Sequence, residues 1–127
     1  MTGCNLAHTP MEEKLKLSWG STAKEVDPTH YRRLIGRLRY LVYNRLDIVV
    51  TIGYMSRFME RSTMEHLQAI KRILCYVAGT LDYGLHYGRA VDMTRFVGYC
   101  DSDLAGDVDT GKSTTRTMFF LGDCLVS

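Results

Sequence analysis

Three sets of residues in this chain could carry chemistry. The first is Asp101 and Asp103, within Gly98-Tyr99-Cys100-Asp101-Ser102-Asp103. If a strand runs through them, the two carboxylates share one face. Carboxylates on a rigid strand can hold magnesium ions a few ångströms apart, as two-metal phosphodiester cleavage requires. Such a site draws further acids from other elements, and an Asp-rich turn has the same composition. The second is Gly106-Asp107-Val108-Asp109-Thr110-Gly111-Lys112-Ser113, which fits the phosphate-loop pattern G-x-x-x-x-G-K-[ST]. In such a loop the backbone cradles phosphates, the lysine reaches the terminal phosphate and the serine holds magnesium. Here Asp107 and Asp109 would repel a polyphosphate, and Thr114 to Phe120 reads as strand, so no helix N-terminus would face the ligand. Only 14 residues follow Ser113, too few for a parallel sheet and a second magnesium carboxylate. A nucleotide-binding module resting on Lys112 and Ser113 is therefore the minor reading. The third is a basic block of Arg32, Arg33, Arg37, Arg39, Arg45, Arg57, Arg61, Lys71 and Arg72, able to neutralise backbone phosphates. Tyr40, Tyr43, Tyr54 and Tyr76 are interleaved and could stack on bases or bond to sugars. The same residues also describe a solvated helical surface with packed tyrosines.

The elements that must position these groups follow from periodicity. Residues 1–26 show no sustained period and read as an irregular lead-in. Asp27-Pro28 is a helix start, with Asp as N-cap and Pro at the first helical position. Tyr31, Leu34, Ile35, Leu38, Leu41 and Val42 then fall on one helical face. Asn44 is expected to cap a second helix with Ile48, Ile52, Met55 and Met59 buried. Ser62 and Glu65 fit a capping box for a third, with a stripe of Met64, Leu67, Ile70, Leu74 and Val77 and a stop at Gly79. Beyond it, Tyr83, Leu85 and Tyr87 alternate like a short strand. Phe96 to Cys100 and Thr115 to Leu121 are strand candidates, and Gly122-Asp123 can turn the chain into Cys124 to Val126. The expected fold class is α+β: about three amphipathic helices, then a short antiparallel meander. The expected division is 1–26, 27–90 and 91–127.

Composition fits a globular chain. Of 127 residues, 46% are hydrophobic and 24% charged. The net charge of +2 conceals an asymmetry: residues 1–30 carry −1, residues 31–91 carry +6, and residues 92–127 carry −3. A basic middle suits a polyanion and an acidic end suits a cation. No run is apolar enough to span a membrane, and Met1 to Pro10 lacks a secretory pattern. The expectation is an intracellular chain, cytoplasmic or nuclear, without a membrane partner. Cys4, Cys75, Cys100 and Cys124 form no close pair and read as free thiols rather than zinc ligands.

Several ordered motifs carry a family resemblance over nearly the whole chain. Tyr31-Arg32-Arg33-Leu34-Ile35-Gly36-Arg37-Leu38-Arg39-Tyr40-Leu41 resembles the Y-R-x-L-[IV]-G-x-L-x-Y-L run of copia-type retrotransposon polymerases. Asn44-Arg45-Leu46-Asp47-Ile48 is similar to their T-R-P-D-I element, and Ser56-Arg57-Phe58-Met59 to S-R-F-M. His66 to Thr80 resembles H-L-x-A-x-K-R-I-L-R-Y-[IV]-x-G-T. Val97 to Asp107 resembles V-G-Y-x-D-S-D-[WL]-A-G-D, and Lys112-Ser113-Thr114 matches K-S-T.

The resemblance implies a reverse transcriptase thumb and connection region for the helices, and the first strands of an incomplete ribonuclease H-like fold for the end. Asp101 would be the first metal-binding carboxylate of ribonuclease H, with Asp103 beside it. Magnesium would be the cofactor only if that site were completed. An RNA–DNA hybrid or other nucleic acid is the implied partner, bound weakly through Arg32, Arg33, Arg37, Arg39, Lys71 and Arg72. The chain departs from the pattern in Leu46 for Pro, Cys75 for Arg, and Arg116 where Gly is typical, a replacement expected to strain a tight strand or bulge. The resemblance makes Gly111 look incidental. No Y-x-D-D polymerase motif occurs, and the chain ends before the remaining ribonuclease H acids. The expectation is a polyprotein fragment that is non-catalytic alone. The alternative is ribonuclease H activity completed by a partner. Unpaired strand edges would favour self-association.

Overall fold

The computed structural model of the chain describes residues 5–13, 15–20, 22–88, 95–103, 107 and 109–127. The fold is α+β, as the sequence indicates. The chain divides into two compact units, Met1–Asp82 and Tyr83–Ser127. The expected border near residue 90 falls on residues 89–94, outside the described ones.

In the first unit, α1 spans Pro28–Leu41. Asp27 caps it through a 2.9 Å bond accepted from the Thr29 N–H, and Pro28 sits where no N–H is needed. Tyr31, Ile35 and Leu38 are buried, as their spacing requires. The Tyr31 hydroxyl donates to the Met55 carbonyl at 2.8 Å, and burial pushes its pKa up.

The second helix is shorter and more broken than expected. A 3-10 turn at Leu46–Ile48 precedes α2, Val49–Met55, and a second 3-10 turn follows at Ser56–Phe58. Asn44 is not its cap; Arg45 holds that position ahead of the first 3-10 turn. Ile48, Val49, Val50 and Thr51 are all β-branched, and Gly53 adds backbone freedom, so helix formation is costly here. Ser56 bonds back to the Ile52 carbonyl at 2.7 Å, a contact that bends helices. Ile48, Ile52 and Met55 are nevertheless buried, as their spacing implies, but Met59 is only partly buried and Phe58 takes the fully buried place instead.

The third helix, α3, spans Met64–Gly79, and its N-terminus corrects the expected capping box. The cap is Thr63, not Ser62, and the reciprocal partner is His66, not Glu65. The Thr63 N–H donates to His66 Nδ1 at 3.0 Å. The imidazole is fully buried and stacks on Phe58 at 4.1 Å between centroids. This rotates the inward face onto His66, Ile70 and Ile73, and leaves Met64 exposed.

The described residues between 5 and 26 are irregular but contribute to the same core. Leu17 is buried, and its N–H donates to the Tyr54 hydroxyl at 3.1 Å. Trp19 meets Phe58 edge-on at 6.5 Å. The Val26 N–H bonds to the Ser62 carbonyl, and the Met64 N–H to the Lys24 carbonyl, each at 2.9 Å. Cys75, expected to be free, is disulfide-bonded, whereas Cys100 and Cys124 are free thiols.

The second unit holds an antiparallel sheet in the order β1-β2-β3, with β1 Phe96–Asp103, β2 Thr114–Leu121 and β3 Cys124–Leu125. Gly122-Asp123 turns the chain between the paired Leu121 and Cys124. β1 reaches further than expected, through both carboxylates of interest. The expected strand over Tyr83 to Tyr87 does not form. Alternation supplies side-chain placement but no ladder partner, and Gly84 weakens the segment further. Instead Tyr87 is tied by its hydroxyl to the Leu125 carbonyl at 3.1 Å.

Candidate nucleic-acid interface

The helical unit sorts the basic residues into two groups. Some are used internally. Arg32 Nε donates to the Met59 carbonyl at 2.9 Å. Arg72 holds the lead-in through Glu12 at 2.9 Å, the Thr9 hydroxyl at 3.1 Å and the Thr9 carbonyl at 3.3 Å. Arg61 pairs with Glu25 at 3.2 Å, and Arg57 lies over the Tyr54 ring.

Arg45 is the most committed. Its Nη2 lies 2.7 Å from Asp47 Oδ2 and 2.7 Å from the Thr80 hydroxyl, while Nη1 reaches the Thr80 carbonyl at 3.3 Å. The Tyr76 hydroxyl donates to the same Asp47 oxygen, also at 2.7 Å. A cation beside the C-terminal end of α3 also complements the helix dipole. The Arg45 hydrogen bond, opposed by partial burial, holds the Asp47 carboxyl below the usual aspartate range. Burial, then the bond to Asp47, raises Tyr76. The R-x-D and Y-x-x-G-T motifs thus meet as a structural clasp.

The second group faces outward. Arg33, Arg37 and Arg39 are exposed on α1, and among the described residues none of them forms an ion pair. Tyr40 and Tyr43 are 76% and 84% exposed and meet edge-to-face at 6.3 Å. Tyr54 and Tyr76, by contrast, serve internal bonds. Beside this face lies a groove of about 690 Å³, lined by Gly36, Arg39, Tyr40, Val42, Tyr43, Val49, Ile52, Gly53 and Ser56. Among the described residues no acidic one lines it. A Cβ built on Gly36 or Gly53 would meet nothing within 4 Å, so internal packing does not demand either glycine. The sequence reading missed the two glycines, because a groove between helices has no linear signature. Lys71 is exposed on α3 and lines a separate cavity with Arg72, Cys75 and Asn5. The six basic residues expected to act together therefore do not form one set.

In the second unit, Asp101 and Asp103 occupy alternate positions of β1. The register sets Asp101 opposite Arg116 and Asp103 opposite Thr114. Arg116 Nη1 lies 3.9 Å from Asp101 Oδ2. Arg116 keeps regular register within β2, without a bulge, and its Nε is buried without a hydrogen-bond partner among the described residues. Among the described residues no three His, Cys, Asp or Glu side chains cluster as a metal site would need.

Gly106 and Val108 of the phosphate-loop string lie outside the described residues. In the described part, Asp107 Oδ1 accepts the Asp109 N–H at 3.0 Å and its Oδ2 accepts the Thr110 hydroxyl at 2.7 Å. The Gly111 N–H bonds to the Asp107 carbonyl at 2.8 Å. These donors serve Asp107 rather than a phosphate, and β2, not a helix, follows. Gly111 is not incidental: its φ of +66° is a conformation that side chains other than glycine's adopt at a cost.

Comparison with known proteins gives a consistent set of relatives. The chain is 43% identical to the retrovirus-related Pol polyprotein from transposon RE1 of Arabidopsis thaliana over 114 residues, 90% of this chain and 8% of that polyprotein. It is 38% identical to the Pol polyprotein from transposon RE2 of the same plant, again over 90% of this chain and 8% of the other. An uncharacterized mitochondrial protein of Arabidopsis thaliana is 36% identical over 100% of this chain and 52% of its own length. The chain thus spans a small part of the polyproteins it matches. No family model and no solved structure matches it.

Proposed function

Because this chain belongs to the family of copia-type retrovirus-related Pol polyproteins, we propose that it is a thumb and connection segment that holds nucleic acid through the exposed face of α1 and leads into the first strands of a ribonuclease H-like domain. The observation that carries this reading is the exposed set of Arg33, Arg37 and Arg39, without ion pairs among the described residues, beside the exposed Tyr40 and Tyr43. Like charges one turn apart weaken a helix by a few tenths of a kcal/mol. A polyanion would remove that penalty and release counterions. The tyrosines add flat surfaces for stacking, and the bare backbone at Gly36 and Gly53 allows close approach.

The partner we propose is an RNA–DNA hybrid, the substrate implied for a polyprotein that couples RNA-directed DNA synthesis to cleavage of the RNA strand. In this reading the chain grips such a duplex weakly and catalyses neither step by itself. No helix among the described residues is long and apolar enough to cross a membrane. Self-association through the outer edges of β1 and β3 remains part of the proposal, because such edges present unpaired backbone groups. Salt-dependent binding that weakens when Arg33, Arg37 and Arg39 are removed, with Arg32 and Arg72 as internal controls, tests this reading.

A further inference from the structure

The ribonuclease H-like reading proposed above implies magnesium at Asp101, and the residues around that carboxylate do not fit it. We infer that Arg116 takes the place of a divalent cation at Asp101, so that this face of the sheet excludes magnesium instead of binding it. Three observations carry this. Arg116 is the cross-strand partner of Asp101, with Nη1 3.9 Å from Oδ2, in the space a metal on that carboxylate and its waters would share. Arg116 Nε is buried although the side chain is 41% exposed, so the root of the guanidinium is covered and its outer nitrogens remain beside Asp101. And among the described residues no three His, Cys, Asp or Glu side chains gather at this carboxylate, so the donor set is short of what magnesium needs and is already opposed by one positive charge.

Magnesium wants an octahedral shell of oxygens and gives up its waters reluctantly. A guanidinium offers no lone pair and repels the ion. Arginine, always charged, performs this exclusion at every physiological pH. The inference is independent of nucleic-acid binding by α1, since it concerns the second unit alone.

The test is manganese titration of the full isotopically labelled chain, read as paramagnetic broadening of the amide signals of β1. Manganese stands in for magnesium. The wild-type chain is expected to show no preferential broadening at Asp101. R116Q removes the charge and keeps a long polar side chain. It should bind manganese roughly five- to tenfold more tightly, the change expected for charges of +2 and +1 about 5 Å apart in a screened aqueous medium. D101N in the R116Q background should abolish the gain, and R116K should behave as wild type. If R116Q disturbs the sheet, seen as loss of cross-strand contacts between Gly98 and Phe119, R116M supplies the neutral variant. Selective manganese binding by the wild type that is lost in D101N would overturn the inference. So would a folded neutral variant that binds manganese no better than wild type.

Discussion

The Tyr76 hydroxyl and Asp47 are joined by a 2.7 Å hydrogen bond that links α3 to the 3-10 turn ahead of α2. Arg45 binds the same carboxylate oxygen, and its side chain is only 15% exposed. Removing Asp47 would therefore leave a largely buried guanidinium with only the Thr80 contacts and the face of Tyr76. Asp47→Ala is expected to cost about 1–2 kcal/mol, read by urea unfolding. A loss no larger than that of a typical surface substitution would show that the clasp is ornamental.

The same clasp sets an acid limit. Asp47 is held below its ordinary range, so its contribution is complete above the unfolded-state pKa and disappears as pH falls through the folded one. Stability should thus decline below about pH 4. Asp47→Asn should flatten this part of the pH profile, measured by thermal unfolding of the two proteins from neutral to acid pH.

Gly98 sits opposite Phe119 in the sheet, and a Cβ there would lie 3.0 Å from the ring. Phe119 is also stacked on Phe96 at 5.4 Å, so the ring has little room to yield. Gly98→Ala, which ordinarily favours a strand, should here destabilise the second unit by about 1 kcal/mol. Hydrogen exchange of the β1 and β2 amides would report it as faster exchange confined to that unit.

Arg72 and Arg33 look alike in sequence and differ in structure. Arg72 is tied to Glu12 and Thr9, whereas Arg33 forms no ion pair among the described residues. Arg72→Ala should loosen the lead-in at a cost of up to about 1 kcal/mol, the pair being partly exposed, while hardly changing the salt dependence of binding. Arg33→Ala should do the reverse. Equal effects of the two on the salt slope would remove the distinction.

Much of this was legible in the sequence, for physical reasons that differ by element. α1 was plain because Asp27-Pro28 and a stripe at intervals of three and four are local signals. The strands β1 and β2 were visible in their aromatic and Thr-rich composition. The third helix was placed correctly, but its face was misread because a buried histidine counts as polar in any periodicity scan. His66 goes inside because its Nδ1 is engaged at the cap and its ring rests on Phe58. The strand expected at Tyr83 to Tyr87 failed because pairing is non-local. The candidate site was half legible: which residues are basic is written in the chain, but which arginines are already engaged depends on contacts such as Arg72 with Thr9, 63 positions apart. In sequence Arg116 stands out only as a departure from the family pattern; that it faces Asp101 follows from a register no linear pattern shows.

The measurement that bears most directly on the α1 interface is a fluorescence titration of an RNA–DNA hybrid at several salt concentrations, with wild type and the R33A/R37A/R39A variant compared. If the three arginines each contact a phosphate, wild-type affinity should fall steeply with salt, and the triple variant should lose about two to three units of log–log slope while unfolding like wild type. An unchanged slope and affinity in a folded triple variant, or no salt-dependent binding by the wild type, would contradict nucleic-acid recognition by this face.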